Sequence, residues 1–257
     1  MKHLIARIFF LSVLGLLALW SFFAPVSGWY FVFILLLWFV TNIIGSSFIQ
    51  YNYHVKAYCS NPSEKDQKIA LTFDDGPNEN TLQILEILKT HNAKATFFCI
   101  GKNIEKHPDI LRKIAQDGHE IGNHSYSHSD FFDFYRKDRV TKELKETDNL
   151  IEEITGKKPT FFRPPYGVTN PSIRRALAIT KHKVIGWNIR SMDGISKNTQ
   201  AIFNRIVRQL SPGSVVLLHD TRLETNVVLE QLLLSLAEKN YEVVPTAQLL
   251  NLKAYEN

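Results

Sequence analysis

Lys68-Ile69-Ala70-Leu71-Thr72-Phe73-Asp74-Asp75-Gly76-Pro77 runs an apolar segment straight into two adjacent carboxylates and a Gly-Pro turn. A short apolar run bounded by turn signals predicts a buried strand over 68–73. Successive side chains on a strand point to opposite faces, so Asp74 and Asp75 should leave it in diverging directions. One carboxylate is then expected to ligate a metal, and the other to stand beside the bound water as a base. On its own the same stretch also reads as an Asp-rich turn capping the next helix.

Outward from this strand the pattern repeats. Short apolar runs predict further strands over 95–100, 119–123, 160–162, 183–188, 214–218 and 241–244. Helical spacing of apolar residues predicts helices over 81–91, 104–117, 141–154, 171–180, 199–210 and 224–239. Asn170-Pro171 has the form of an N-cap with proline at the first helical position, and Gly118 and Gly156 that of C-caps. Regular strand–helix alternation predicts an α/β fold, a distorted (β/α) barrel of about seven parallel strands, with an open doubly wound sheet as the alternative. A barrel demands that functional groups cluster past the C-terminal ends of its strands.

They do so in five places: Asp74-Asp75-Gly76-Pro77, His124 to His128, Arg163-Pro164-Pro165-Tyr166-Gly167, Arg190 to Asp193, and His219-Asp220. His124 and His128 are four residues apart, which on a helical turn puts both imidazoles on one face. Two imidazoles and a carboxylate suit zinc or a similar divalent ion with room for water. Two prolines after Arg163 stiffen the loop there, and an arginine can hold a carboxylate ionised. His219, after the apolar Val215-Val216-Leu217-Leu218, fits a general acid. Each cluster alone has an ordinary structural reading; together they have the composition of one hydrolytic metal site.

Thr72-Phe73-Asp74-Asp75-Gly76-Pro77, His124-Ser125-Tyr126-Ser127-His128, Arg163-Pro164-Pro165-Tyr166 and Leu217-Leu218-His219 resemble, in order, the motifs of polysaccharide deacetylases with the NodB homology domain, carbohydrate esterase family 4. The resemblance implies a divalent metal, usually Zn2+, on Asp75, His124 and His128, with Asp74 as base and His219 as acid. It implies that Arg163 steadies Asp74 and that the loop at Tyr166 offers its backbone N–H to the oxyanion, with Trp187 and Leu217 also on the substrate side. In the fourth motif Asp193 matches the acidic position and would orient Arg163 or His219. Gly194 stands where the family carries tryptophan, and Arg190 where an acidic residue is frequent, which bears on the sugar-binding groove. The implied reaction removes an N-acetyl or other small N-acyl group from an amino-sugar polysaccharide. Alternatives are deacylation of a lipid-linked sugar precursor at the membrane, and a non-catalytic glycan-binding protein with the same fold.

The first fifty residues differ from the rest. Residues 8–24 and 28–47 hold no charged side chain, and each approaches the roughly 20 residues that span a bilayer core. Residues 1–50 are therefore expected to form a transmembrane helical hairpin, 51–67 a polar tether, and 68–257 the catalytic domain. A signal peptide cleaved near Val26-Ser27-Gly28 is the alternative for the first segment. The second would still attach the chain to the cell membrane. Lys2 and Arg7 before the hairpin and Lys56, Lys65 and Lys68 after it would place both ends in the cytoplasm, whereas an external polymer substrate would demand the reverse. A net charge of +5 without any basic block excludes nucleic acid as a partner. Cys59 and Cys99 make no disulfide framework, and a monomer is expected.

Overall fold

The computed structural model describes residues 2–256. Two long helices open the chain, α1 (Lys2–Trp20) and α2 (Gly28–Ser47). There follow β1 (Ala57–Tyr58), β2 (Lys68–Asp74), α3 (Glu79–Thr90), β3 (Thr96–Cys99), α4 (Gly101–Lys106), α5 (Pro108–Gln116) and β4 (Glu120–Asn123). Then come α6 (Lys137–Thr155), β5 (Phe161–Phe162), α7 (Pro171–Thr180), β6 (Lys183–Ile185), β7 (Ile189–Arg190) and α8 (Thr199–Gln209). The chain ends with β8 (Val215–His219), α9 (Leu223–Glu238), β9 (Glu242–Val243) and α10 (Thr246–Leu250).

All these strand pairings are parallel, in the order β1-β6-β5-β4-β3-β2-β8-β7, with β9 beside the start of β2. β6 lies next to one edge and β7 forms the other, yet only Gly186, Trp187 and Asn188 separate them in sequence. Four residue steps reach about 14 Å at most, so the two edges must curl toward each other. Asn188 docks on the far side, its side-chain oxygen accepting from Val215 N–H of β8 at 2.7 Å. Further down, Ser60 bridges Ser214. The result is a curled, incomplete barrel, as expected, and not an open doubly wound sheet.

Alternation along β2 sorts its side chains. Ile69, Leu71 and Phe73 pack outward with Ile84, Leu85 and Leu88 of α3 and Leu229 and Leu232 of α9, all buried. Burying each such side chain contributes about 1.5–3 kcal/mol. Thr72 and Asp74 face the interior, where Arg163 meets them. Asn170 caps α7, accepting from Ile173 N–H at 2.9 Å, and Gly156 ends α6 at φ +70°.

Three segments depart from expectation. The helix expected over 104–117 is two, α4 and α5, because Pro108 offers no N–H and disfavours helical geometry at His107. The strand expected over 183–188 stops at Ile185, and the chain crosses to β7 on the far edge. The segment 51–67 is not a loose tether. Ala57–Tyr58 pairs with β6, and Val55 and Ala57 are buried with Ile49, Phe162 and Trp187 in a second core cluster.

The helices α1 and α2 lie side by side, with Phe10 and Trp38 stacked at 6.0 Å. α1 buries no residue and α2 only Gly45, so the pair stands away from the barrel. Its base is fixed to the barrel all the same: His3 N–H donates to Tyr53 O at 3.1 Å, and Thr169 N–H to Ser46 O at 3.0 Å.

A chain shortened to begin at residue 68 loses the β1 edge and the apolar contacts of Ile49 and Val55. Its thermal midpoint should fall at least about 5 °C below that of a chain beginning at residue 47. Equal midpoints by circular dichroism would mean that 51–67 contributes nothing to the domain.

Candidate functional site

β2 delivers Asp74 at its last position, and the chain turns at Asp75 with φ +77°. Left-handed backbone is unfavourable for a residue with a Cβ. Here it swings the second carboxylate back toward the cavity that the first one faces, undoing the divergence expected of neighbours on a strand. Asp75 Oδ1 lies 3.5 Å from Nε2 of both His124 and His128, and Asp74 Oδ2 lies 3.8 Å from Nε2 of His124. The glycine that follows must be a glycine, since a Cβ at Gly76 would overlap the carboxylate of Asp220.

The two histidines converge without a helix. Residues 124–128 form an irregular turn with Ser125 at φ +64° and His128 at φ +45°. Buried Glu143 on α6 shapes it, accepting from the N–H groups of Tyr126 (3.1 Å) and Ser127 (2.7 Å). Asn123 accepts from Ser125 N–H at 2.8 Å. Sequence reasoning missed both Glu143 and Asn123. The available signal was a carboxylate on the apolar face of α6, beside Val140 and Leu144.

His124 Nδ1 sits 2.7 Å from the carbonyl of Arg163, which can only accept, so Nδ1 carries a proton and Nε2 is the nitrogen turned toward Asp75. The ligating atoms of Asp75, His124 and His128 all lie within 4.8 Å of one another. Burial, and then the charge of His124, push His128 down to about 4, leaving it the free base that metal ligation needs. At Asp75, burial favours the acid form, but the hydrogen bond and charge of His124, with His219 and His128, outweigh it and keep the carboxyl ionised. His124 is drawn up by Asp74 and Asp75 despite its burial. Two imidazole nitrogens and a carboxylate oxygen thus meet at one point beside a second carboxylate, a donor set that fits a divalent cation.

Arg163, with no exposed surface, holds Asp74 from behind. Its Nη1 donates to Asp74 Oδ1 at 2.7 Å and to Thr72 Oγ1 at 2.8 Å. Nε and Nη2 donate to the carbonyls of Ile185 and Gly186, and the guanidinium lies 4.1 Å over the Phe98 ring. Asp74 therefore presents its other oxygen, Oδ2, to the histidine side.

Asp74 and His219 are register partners on β2 and β8. His219 Nδ1 donates to Asp193 Oδ1 at 2.7 Å, which frees Nε2. Asp193 Oδ2 accepts from His219 N–H at 2.7 Å and from Thr225 Oγ1 at 2.8 Å, and Ser191 donates to Oδ1 at 2.6 Å. Of the two partners expected for Asp193, the structure brings it to His219. Burial lowers the His219 pKa, but the hydrogen bond and charge of Asp193, aided by Asp74 and Asp75, outweigh it and carry the group up to about 9. Gly194 leaves one face of that ring bare, for a Cβ there would sit 3.2 Å from Cε1. Asp220, buried beneath this strand end, accepts from Thr81 Oγ1 at 2.7 Å and is pushed up to about 7, mainly by burial.

The remaining expected residues lie around this centre. Tyr166, at φ +59°, donates its phenol to Asp130 at 2.7 Å and sets its ring 4.9 Å from that of His128. The turn bonds of its loop run from Gly167 N–H to Pro164 O and from Val168 N–H to Pro165 O, and neither engages the Tyr166 N–H. Trp187 and Leu217 are buried in the second core cluster, Trp187 backing Gly167 and the Arg163 guanidinium.

Residues 61–185 match the sequence model of a family described as polysaccharide deacetylase. The chain is 35% identical over 186 residues to the peptidoglycan-N-acetylmuramic acid deacetylase PdaC of Bacillus subtilis, a match covering 72% of this chain and 39% of that protein. It is 36% identical to a peptidoglycan-N-acetylglucosamine deacetylase of Bacillus cereus, covering 69% of each. A crystal structure of a peptidoglycan N-acetylglucosamine deacetylase bound to an N-hydroxybenzamide superimposes with a TM-score of 0.71 at 33% identity, covering 77% of this chain and 94% of that one. The chain spans well under half the length of PdaC.

Replacing Arg163 by leucine leaves Asp74 buried without its cation, and should cost about 3–5 kcal/mol in denaturant unfolding. A loss below about 1 kcal/mol would show the pair to be structurally idle. In chelator-treated protein, NMR should find the His219 imidazole titrating at about 9. In Asp193→Asn the midpoint should fall, since the largest influence raising it is gone and burial acts with less opposition. An unmoved midpoint would remove Asp193 from that role.

Proposed function

This chain belongs to the polysaccharide deacetylase family, and from that membership we propose that it hydrolyses the N-acetyl group of an amino sugar in a glycan such as peptidoglycan. What carries the reading is the convergence of Asp74, Asp75, His124, His128 and His219 on one cavity, drawn from three strand ends.

Asp75, His124 and His128 would hold a divalent cation, zinc by the character of the donors, and such an ion polarises an amide carbonyl and acidifies water. Asp74 is the base in this reading. Its Oδ1 is fixed by Arg163, and Oδ2 takes a proton as water attacks the carbonyl carbon. The Tyr166 N–H donates to the carbonyl oxygen as negative charge builds there; one such donor is worth about 3–4 kcal/mol in the transition state. His219 holds its proton near neutral pH because of Asp193, and releases it from Nε2 to the departing nitrogen. General acid and base together supply roughly 10²–10⁴-fold each. The products are acetate and a free amine. Trp187 and Leu217 support the site from beneath, Trp187 by packing under the Arg163 loop.

The membrane-length helices α1 and α2, with 19 and 20 residues, are proposed to anchor the chain in the cell membrane as a hairpin. On this reading residues 1–50 are the anchor. The catalytic domain takes in 51–67 as well as 68–257, because β1 is part of its sheet.

Acetate release from chitin oligomers or peptidoglycan fragments should be abolished by a chelator and restored by zinc. Asp74→Asn should retain bound metal by elemental analysis yet lose at least about 10³-fold in kcat, whereas His124→Ala should lose the metal itself. Near-normal turnover in Asp74→Asn would rule out the assigned base.

A further inference from the structure

The base of the helical hairpin and the mouth of the site share one end of the barrel. Ser46, at the end of α2, accepts from Thr169 N–H, and Gln50 donates to Trp187 O at 3.1 Å. Thr169 and Trp187 lie just past the C-terminal ends of β5 and β6, the end at which Asp75 and the histidines converge. The same loops are tied onward around the mouth. Asn170 Nδ2 donates to Asp133 O at 2.7 Å, and Tyr166 donates to Asp130. The Asp130–Phe134 segment carries Phe131 and Phe134, which are 69% and 83% exposed although apolar. Across the mouth, Ile195 (78%), next to the Gly194 that lies against His219, and Leu223 (67%), at the start of α9, stand exposed, and Arg222 donates to Gly194 O at 2.7 Å between them.

Large apolar side chains this exposed on several loops of one rim mark a surface that is covered in use. The cover is argued by continuity: the hairpin of membrane length emerges from that rim and buries almost nothing of itself against the barrel. Exposed Arg136 lies two residues beyond Phe134. Aromatic tips next to basic residues suit the interface of an anionic bilayer.

We infer that the mouth of the site opens onto the bilayer surface, with Phe131 and Phe134 dipping into it, so that the amino sugar presented to the site is one carried on a membrane lipid. This rests on the proposed membrane anchoring and deacetylation. A sugar joined through a diphosphate to a polyprenyl chain has the required chemistry: its tail stays in the bilayer while its N-acetyl group lies at headgroup height.

The test uses the full chain in vesicles of phosphatidylcholine and phosphatidylglycerol. An environment-sensitive fluorophore is placed at Phe134→Cys or, at the opposite end of the barrel beyond α9, at Lys239→Cys. Bromine-labelled acyl chains should quench the first probe at least about twofold more than the second. N-acetylglucosamine on a polyprenyl diphosphate in the same vesicles should release acetate on the order of tenfold faster than a soluble chitin oligomer. The double variant Phe131→Ser, Phe134→Ser should bring that ratio toward one without changing the soluble rate. Protein that floats with the vesicles and cleaves the soluble oligomer, but whose probe at 134 stays unquenched or whose substrate ratio is near one, overturns this inference alone. Failure to float overturns the anchoring and the inference together. Flotation without acetate from either substrate overturns the deacetylase reading and the inference with it.

Discussion

The pair formed by Arg163 and Asp74 governs the architecture. A guanidinium with no exposed surface forfeits several kcal/mol of hydration. It is compensated by an ionic hydrogen bond to Asp74, a hydroxyl, two strand-end carbonyls and an aromatic face. Those partners belong to β2, to β3 and to the end of β6, so one side chain ties the inner wall of the curled sheet together. The barrel interior is thus polar at its upper end by design. Thr72 completes the chain of bonds, accepting from Arg163 while donating to Val216 O at 2.7 Å. The contact that stabilises this interior also fixes one oxygen of Asp74 and turns the other toward the histidines.

Backbone strain concentrates in the same place. Among the described residues ten other than glycine have positive φ, and Asp75, Ser125, His128, Tyr166 and Met192 of these lie in the loops that follow β2, β4, β5 and β7. Each costs on the order of 1 kcal/mol or more, and at the histidine turn bonds from Asn123 and Glu143 hold the geometry in place. Strands end where they are stiff, and the turns after them aim their side chains. Without the positive φ at Asp75 the two carboxylates would point apart.

This division explains what could be read from the sequence. Strand-end clusters were legible because a parallel sheet brings all its C-terminal ends to one face, whatever the details of each loop. Caps at Asn170 and Gly156 were legible because they depend on a few adjacent residues. The aim of each loop was not. Four-residue spacing of His124 and His128 suggested a helical turn, whereas tertiary bonds from Asn123 and Glu143 hold an irregular one. The crossing from β6 to β7 was hidden because Gly186-Trp187-Asn188 continues the apolar run and only the curl of the sheet separates the two strands. Residues 51–67 looked polar because Val55 and Ala57 supply a narrow stripe whose cover, Phe162 and Trp187, lies more than a hundred residues away in sequence.

The position of the hairpin has a mechanical consequence. A flexible tether would let the barrel sample many orientations, and the direction of the mouth would then carry no information. Here Tyr53 packs so closely on α2 that a Cβ at Gly45 would overlap its ring, Ser46 is bonded to the loop that begins α7, and Ile49 is part of the barrel's core. Orientation is therefore fixed by packing within a few residues of the last apolar turn. If the helix pair anchors the chain as proposed, this rigid link between helices and rim is where it has room to differ in what it acts on.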